Sequence, residues 1–506
     1  MNTVGVTRGI ALNGLEGTMV DIEVDIAPGL PQFTIVGLAD TALDQSRHRV
    51  RSALKNSGLG FPDSRVIVNL SPASVPKHGS AFDLPIAIAL LAAQGIVDPA
   101  RAREPVLFGE LSLDGRLRPV RGSLAAMLAA TRQGVREAYL PEGNVVEAQM
   151  LQGLEAHGVT DLTACAVSLG ADLALRDAVP IAASRTVQTG VPHPGDLCDV
   201  LGQPDAVRAL VAAAAGGHHC LLVGEPGAGK TMLAERLPGL LPDLTPEASM
   251  SVTALHSLVH GIDELITRPP WQAPHQTATA PALVGGGSGH IQPGAMSLAS
   301  EGVLFLDEAP EFSPRVLDSL RQSLESGRVE IHRARTVCAF PARFQLILAA
   351  NPCPCGKAFD PAGTCTCAPA ARRRYLRRLS GPLLDRMDLR VLVPRASLAA
   401  VRTGQPTLST EAARVRVQEA RDRMSHRLEG TPWTLNSQVP GGELRGRFRL
   451  PPSATTVLDS ALERGILSLR GYDRTLRLSW TVADLEGLSS PGREQVAQAL
   501  SWREVL

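Results

Sequence analysis

The feature that most constrains this chain is the segment Gly224 to Thr231, which reads GEPGAGKT. It matches the pattern GxxxxGK[ST] and lies between the apolar run Cys220 to Val223 and a helical pattern that opens at Met232. A strand before and a helix after are what this pattern needs if its backbone amides are to surround phosphates. A chance glycine-rich turn is the alternative, and these flanks disfavour it. The residues predicted to bind ATP are Gly224, Glu225, Pro226, Gly227, Ala228, Gly229, Lys230 and Thr231.

A second pattern supports the first. The apolar run Val303 to Leu306 reads as a buried strand and ends in two carboxylates, Asp307 and Glu308. Carboxylate and hydroxyl oxygens suit Mg²⁺, so we expect Thr231 and Asp307 to hold the ion. Lys230 would reach the phosphates, and Glu308 would polarise the attacking water. Hydrolysis of ATP is the reaction that this pair of motifs predicts.

The chain is long enough for about three domains at ~150 residues each. Alternating apolar and acidic residues in 18–26, with an apolar helix at 83–94, predict a mixed α+β domain over residues 1–180. A Pro/Gly-ended stretch without periodicity, 181–195, predicts a linker. Short continuous apolar runs predict a parallel α/β core over 196–395, and helical periodicity predicts a helical C-terminal region over 396–506.

The distribution of charge and the hydropathy of the chain indicate its cellular location and its kind of binding partner. The 506 residues carry no net formal charge, but residues 371–506 have a surplus of nine basic groups. Arginine is abundant and lysine scarce, 46 against 4, which agrees with nucleic-acid binding and equally with codon bias. The longest apolar stretches fall short of the ~18 residues that a membrane helix needs, and no signal pattern opens the chain. We expect a cytoplasmic protein.

Motifs along nearly the whole chain resemble the Mg-chelatase-like AAA+ ATPases of the YifB/ComM family. The segments that carry the likeness are PGLPQFTIVGLAD, VIVNLSPA, DLPIAIALL, GEPGAGKTM, GVLFLDEAPEF, NPCPCG, SGPLLDRMDL and LRGYDRTLRLSWTVADLEG. The resemblance implies a hexameric AAA+ ring that acts on single-stranded or branched DNA as a branch-migration helicase in natural transformation. A magnesium chelatase motor subunit and an ATP-dependent protease or unfoldase are the alternatives.

The resemblance also implies residue roles. Asn351 would be sensor 1, Arg386 the arginine finger offered to the neighbouring subunit, and Arg470 the sensor 2 arginine. Arg474 and Arg477 lie on the same basic segment and remain alternatives for sensor 2.

Residues 1–180 are similar to the Lon-protease fold but lack its dyad. The segment Pro76 to Asp83 places Ala81 where Lon-type proteases carry the nucleophilic serine, and Ser80 stands one residue early. Leu124 occupies the place of the lysine. A serine without a base is not activated, so we expect no peptidase.

Four cysteines form a cluster just after Asn351: Cys353, Cys355, Cys365 and Cys367. Four thiolates suit tetrahedral Zn²⁺ in a structural site, although the CxC spacing is tighter than the usual CxxC. Four reduced thiols in a surface loop are the alternative. The scattered Cys165, Cys198, Cys220 and Cys338 are interpreted as small apolar residues.

Two further segments of the core are candidates for functional contacts. Residues 271–295 are polar and rich in glycine, which is typical of a functional loop rather than of core. Two predicted strands, 328–331 and 336–340, flank a basic hairpin tip that contains Arg333 and Arg335. These two arginines are predicted to contact phosphates, and a merely solvated tip is the alternative.

Overall fold

The computed structural model describes residues 4–37, 41–75, 77, 79–182, 195–287, 291–332, 337–359, 362–396, 399, 402 and 408–503. The protein is a multidomain α/β chain that contains a parallel sheet and many helices. Most of the predicted linker, residues 183–194, lies outside the described residues. No helix among the residues described combines the length and apolarity needed to cross a bilayer.

The N-terminal part is built around a seven-stranded mixed sheet with the order β3-β4-β2-β1-β5-β8-β9. Apolar residues on the inner face of β2 pack on the apolar helix α2, which is buried along almost its whole length. The elements are β1 (Gly5–Asn13), β2 (Glu16–Ala27), β3 (Gln32–Val36), α1 (Thr41–Asn56), β4 (Arg65–Ser71), α2 (Asp83–Ala93), α3 (Pro99–Arg103), β5 (Val106–Leu107), β6 (Glu110–Leu111), β7 (Leu117–Arg118), α4 (Ser123–Arg132), β8 (Glu137–Pro141), α5 (Val145–Gln149), β9 (Glu155–Val159) and α6 (Leu162–Ser168).

The central part contains a five-stranded sheet in the order β11-β14-β17-β10-β18, parallel throughout. The continuous apolar runs that predicted these strands are buried on both faces. The elements are α7 (Pro204–Gly216), β10 (Cys220–Gly224), α8 (Lys230–Leu240), α9 (Pro246–Ser257), β11 (Trp271–Gln272), α10 (Ala280–Val284), β12 (Gly285–Gly286), β13 (Gln292–Pro293), α11 (Ala295–Leu298), β14 (Val303–Leu306), α12 (Pro314–Ser326), β15 (Arg328–His332), β16 (Val337–Pro341), β17 (Gln345–Ala350), α13 (Pro369–Leu376), α14 (Gly381–Leu384) and β18 (Leu389–Val393).

The interpretation of residues 271–295 as too polar for core is wrong at its start. Trp271 is 6% exposed, pairs with Val303 at the edge of the sheet and stacks on Phe305 with ring centroids 5.3 Å apart. Leu283 is also fully buried. Burial of these two large apolar side chains anchors the segment on the core despite the polar residues between them.

The C-terminal part is helical where it is described, with α15 (Thr410–Arg427), α16 (Gly441–Arg445), α17 (Pro452–Glu463), α18 (Leu469–Leu485) and α19 (Arg493–Ser501). Helix α18 packs on α7 through Leu478 and Val482. A buried polar chain crosses the same contact, because His218 bonds both Asp388 and Thr481, at 3.1 and 2.7 Å.

The N-terminal part packs directly on the central part. Apolar side chains of β1 and α4 share a core with α9 and with Phe340 of β16. The amide of Asn13 donates to Val337 O at 3.0 Å, and a Cβ added at Gly14 would lie 2.7 Å from Ala339 O. The turn after β1 therefore rests on the strand that follows the predicted basic hairpin tip.

A buried carboxyl group reinforces this contact. Glu147 accepts a hydrogen bond from Ile262 N at 3.1 Å and another from the hydroxyl of Ser123. Burial raises the pKa of Glu147, and these donors offset part of that rise.

Candidate nucleotide site

The phosphate-binding loop spans the gap between β10 and α8, and the helix begins at Lys230, two residues before its predicted start. Gly227 and Gly229 have φ of +75° and +91°, which a side chain would strain. A Cβ at Gly224 would lie 2.4 Å from Val393 O. The spacing of the glycines is thus explained by the path of the loop over the sheet.

Lys230 lies at the centre of the site. Its Nζ donates to Gly224 O at 2.8 Å, to Glu225 O at 2.9 Å and to Asn351 Oδ1 at 3.0 Å. Burial lowers the pKa of Lys230, while the carboxylates of Asp307, Glu308 and Glu225 oppose that shift. These carboxylates favour the charged ammonium that phosphate binding requires.

Asp307 follows β14 directly and joins two of the predicted residues. Its Oδ2 accepts from Thr231 Oγ1 at 2.6 Å, and its Oδ1 accepts from Glu308 N at 2.8 Å. A hydroxyl beside a carboxylate is an oxygen donor set that fits Mg²⁺. Glu308 itself has φ of +50°, a left-handed conformation that a non-glycine residue adopts only at a cost.

These groups border one cleft of about 440 Å³ at the carboxyl edge of β10, β14 and β17. Ligands of α/β sheets bind at this edge. The residues that line the cleft are Pro226, Gly227, Gly229, Lys230, Thr231, Met232, Asp307, Glu308, Ala350 and Asn351.

Gln203, which the sequence analysis did not identify, holds the phosphate-binding loop through a hydrogen bond. Gln203, at the start of α7, donates from Nε2 to Ala228 O at 2.7 Å and to Pro394 O at 2.6 Å. The one available signal was the turn pair Gly202-Gln203 ahead of a proline-started helix, and it does not reveal a contact 25 residues away.

Arg386 lies apart from the cleft's lining, two residues after the end of α14. Its guanidinium donates to Pro382 O at 2.6 Å and forms an ion pair with Glu325. Burial lowers the pKa of Arg386, and Arg474 and Arg470 lower it further. Three cationic side chains therefore lie near one another on this part of the surface.

The three candidate sensor 2 arginines differ in their contacts. Arg474 pairs with Asp388 and donates to Arg386 O at 3.0 Å, whereas Arg477 donates to Val439 O at 2.7 Å. Arg470 is exposed, and its side chain has no hydrogen bond or ion pair among the described residues. Asp388 is buried, and although burial alone would raise its pKa, Arg474 and His218 hold it well below 3.8.

The four clustered cysteines converge on one point, with all their Sγ atoms within 4.8 Å of one another. Cys353 Sγ lies 3.4 Å from Cys355 Sγ and 3.6 Å from Cys365 Sγ. Cys353 is fully buried and the other three are partly exposed. A backbone hydrogen bond from Lys357 lowers the pKa of Cys355 to about 6, whereas burial and the neighbouring thiols raise the pKa of Cys353 to about 12. The remaining four cysteines lie elsewhere, and Cys165, Cys220 and Cys338 are buried.

The N-terminal residues aligned with the Lon dyad do not assemble a nucleophile and a base. Leu124 is fully buried in the core shared with α9, and Ala81 contributes its carbonyl to Gly109 N at 3.0 Å. The hydroxyl of Ser80 donates to the carboxylate of Glu110.

The hairpin of β15 and β16 forms as predicted, with His332 as the last residue of its first strand and opposite Val337. Arg333 and Arg335 lie outside the described residues.

Comparison with known proteins agrees with this architecture. The magnesium chelatase subunit ChlI family matches residues 196–401, and its N-terminal and C-terminal companions match residues 22–144 and 407–503. A Lon protease of Roseiflexus castenholzii is 28% identical over 155 residues, which are 29% of this chain and 19% of that protein.

Longer matches cover almost the entire chain. An uncharacterized protein of Mycobacterium tuberculosis is 47% identical over 504 residues, 99% of both chains. The competence protein ComM of Haemophilus influenzae is 40% identical over 499 residues, 97% of this chain and 96% of ComM. The uncharacterized protein YifB of Escherichia coli is 39% identical over 496 residues, 97% and 95% of the two chains. The chain therefore belongs to the YifB/ComM family of Mg-chelatase-like AAA+ ATPases.

Proposed function

We propose that this protein is a ring-forming, hexameric motor that hydrolyses ATP to move DNA, with branch migration during natural transformation as its role. The observation that carries the proposal is the convergence of Lys230, Thr231, Asp307 and Asn351 at one sheet edge, in a chain 40% identical to a competence protein over nearly its full length. The convergence supports ATP hydrolysis, and the name of that relative supports DNA as the substrate.

Each side chain of the site has a separate role in binding or hydrolysis of ATP. Lys230 and the loop amides bind the phosphates, and Thr231 and Asp307 provide the oxygen ligands for Mg²⁺. When bound, Mg²⁺ neutralises charge that develops on the phosphate oxygens. Glu308 orients and polarises the attacking water, and Asn351 positions Lys230 through their 3.0 Å hydrogen bond.

Arg386 and Arg470 complete the site of a neighbouring subunit. Two features support this: among the described residues neither side chain bonds a residue that lines its own cleft, and Arg470 lies close enough to Arg386 to lower the pKa of Arg386. Arg470 is preferred over its two alternatives because Arg474 and Arg477 are already held by Asp388 and Val439.

A mixing experiment tests the shared site. Glu308→Gln and Arg386→Ala subunits should each be inactive alone, because an arginine finger contributes about 10³-fold or more to turnover. Mixed rings contain some interfaces with an intact Glu308 on one side and an intact Arg386 on the other, so part of the activity should return. The double variant Glu308→Gln/Arg386→Ala mixed with either single variant is the control, and it should restore no activity, because every interface in those rings lacks an intact Glu308 or an intact Arg386. No recovery at any ratio would contradict a site shared between subunits.

DNA as the substrate is tested by ATPase assays with single-stranded, duplex and branched DNA. Stimulation should be lost in Arg333→Ala/Arg335→Ala while basal turnover persists, since neither arginine belongs to the cleft. Contacts of this kind add about −0.7 to −0.9 per phosphate to the slope of log K against log salt, so the double variant should have a flatter slope. Unchanged DNA affinity and slope would move the DNA path elsewhere.

A magnesium chelatase motor subunit is the second candidate, supported by the three ChlI matches. Magnesium insertion into a porphyrin needs partner subunits, so the discriminating measurement is ATPase stimulation by DNA against stimulation by chelatase partners.

We also assign a Lon-like fold without peptidase activity to residues 1–180, because Ala81 and Leu124 cannot act as nucleophile and base.

The cysteine cluster is proposed to bind one structural Zn²⁺ per chain, because four converging thiols match the tetrahedral ligand set of closed zinc sites. Elemental analysis should find near-stoichiometric zinc that is lost in Cys353→Ser/Cys365→Ser. Cys198→Ser, at a cysteine outside the cluster, is the matched control.

A further inference from the structure

The residues on either side of Cys353 and Cys355 contact the phosphate-binding loop. Before Cys353, Asn351 Oδ1 accepts the hydrogen bond from Lys230 Nζ at 3.0 Å. After Cys355, Gly356 packs on the ring of Pro226 so closely that a Cβ at 356 would lie 2.4 Å from Pro226 Cδ. The short segment that carries two of the four thiols is thus held between two contacts with the loop.

The rest of the cluster is anchored away from the loop. Gly356 N donates to Cys353 O at 2.9 Å, which closes a tight turn between the first two thiols. On the other side, Arg372 Nε donates from α13 to Cys367 O at 3.2 Å. Among the described residues, the two halves meet through thiol contacts at 3.4 to 3.6 Å and through a backbone hydrogen bond from Cys355 to the Cys367 thiol, each of which is much weaker than a metal–thiolate bond.

We infer that a metal ion held by the four cysteines fixes the position of the phosphate-binding loop, so that metal binding and nucleotide binding strengthen each other. The inference rests on the proposed zinc site and adds a regulatory role to it. The ion joins the segment that touches Pro226 and Lys230 to the segment anchored on α13, and it thereby limits movement of the loop. Coupling between two binding sites is reciprocal, so each ligand must raise the affinity for the other by the same factor.

Two alanine substitutions test the contact without removing a thiol. Gly356 and Gly363 lie in the same loop with φ of +77° and +66°, so alanine strains the backbone equally at both. Only at Gly356 does the new Cβ meet Pro226, because a Cβ added at Gly363 has none of the described residues within 4 Å apart from its chain neighbours. Gly356→Ala should weaken binding of a fluorescent non-hydrolysable ATP analogue by about fivefold or more. Gly363→Ala should leave it unchanged, and both variants should retain zinc.

The reciprocal measurement uses the intact chain. Zinc affinity, measured by competition with a coloured chelator, should rise about fivefold or more when the ATP analogue is added. Pro226→Ala removes the ring that contacts Gly356 and should reduce that factor towards one, and it introduces no new clash.

Each negative result would contradict a different part of the proposal. Equal nucleotide affinity in the two glycine variants, or zinc affinity that ignores nucleotide, overturns the coupling and leaves the zinc site standing. Wild-type protein that hydrolyses ATP but contains no zinc overturns the zinc site and the coupling together, and leaves the motor standing. Protein that neither binds nor hydrolyses ATP overturns the proposed function as well.

Discussion

Two buried lysines, one in the central part and one in the N-terminal part, have similar backbone contacts and different surroundings. Lys230 donates to the carbonyls of Gly224 and Glu225, and Lys77 donates to those of Leu70 and Pro72. Burial lowers the pKa of both. Carboxylates oppose that shift only at Lys230, which also borders an open cleft, whereas Lys77 is completely enclosed. Lys230 can therefore bind an anionic ligand, because carboxylates keep it charged and the cleft gives access to it. Lys77 has neither property, and its hydrogen bonds hold the segment Leu70 to Pro72 in place.

The largest effect that this comparison predicts is on ATP turnover. Lys230→Met should reduce it by about 10²-fold or more, because it removes a preorganised charge from the phosphates. Lys77→Met should leave turnover per folded molecule unchanged, since Lys77 does not line the cleft. Steady-state ATPase assays on protein of verified circular dichroism provide the measurement. Equal losses in the two variants would mean that the two lysines have similar roles.

The free energy of unfolding should show the reverse order, with the larger loss in Lys77→Met. Lys77→Met leaves the carbonyls of Leu70 and Pro72 buried without their donor, at a cost of about 1–3 kcal/mol. Lys230→Met should cost less, since its partners border a cleft that water can enter. Urea unfolding of the two variants measures the difference, and a more destabilised Lys230→Met would reverse the comparison.

The same pair should differ in pH dependence. With a pKa below 10.5, Lys77 binds fewer protons in the folded than in the unfolded state, so its contribution to stability is complete above pH 10.5 and is lost as pH falls through the lowered pKa. The free energy of unfolding of wild type minus that of Lys77→Met should therefore grow between neutral pH and 10.5. A difference independent of pH would mean that Lys77 is folded with an ordinary pKa.

A smaller effect concerns backbone strain, which also separates the two regions. Among the described residues, the non-glycine residues with positive φ are Glu301 and Glu308, both in the central part. Glu308→Gly should be about 1 kcal/mol more stable than Glu308→Ala, because only glycine adopts φ of +50° without a penalty. Both variants lack the carboxylate and should be inactive. Thermal unfolding compares them, and equal stabilities would mean that the backbone at position 308 is not strained.

The smallest expected effect is none at all. Casein should not be cleaved in the presence of ATP, and Ser80→Ala should not change that result, because Leu124 stands in the place of the Lon lysine and Ser80 lacks that base. ATP-dependent cleavage that disappears in Ser80→Ala would refute the assignment of residues 1–180.

The sequence predicts the strands of the central sheet well because their burial is total. The run Val303 to Leu306 is both the predicted and the observed strand β14, and Asp307 must follow it at the sheet edge. The helical pattern predicted for 396–506 does not fix where each helix begins: α18 begins at Leu469 because Ser468 accepts a hydrogen bond from Gly471 N and caps the first turn.

What could not be predicted depends on contacts between distant residues. Arg470, Arg474 and Arg477 recur at helical spacing on one basic segment, so sequence alone cannot tell which of them is committed elsewhere. The answer depends on Asp388 and Val439, which lie 86 and 38 residues from Arg474 and Arg477 respectively. The support that Gln203 gives to the phosphate-binding loop is invisible in sequence for the same reason.

The scarcity of lysine turns the two enclosed ammonium groups into chemical reporters. Of the four lysines, Lys55 and Lys357 are exposed, and Lys77 and Lys230 are buried. Mass spectrometry after brief acylation with an amine-reactive reagent therefore reads four well-separated positions. Modification of Lys230 follows occupancy of the cleft, modification of Lys77 follows opening of the N-terminal part, and Lys357, beside Gly356, follows the surface of the cysteine loop.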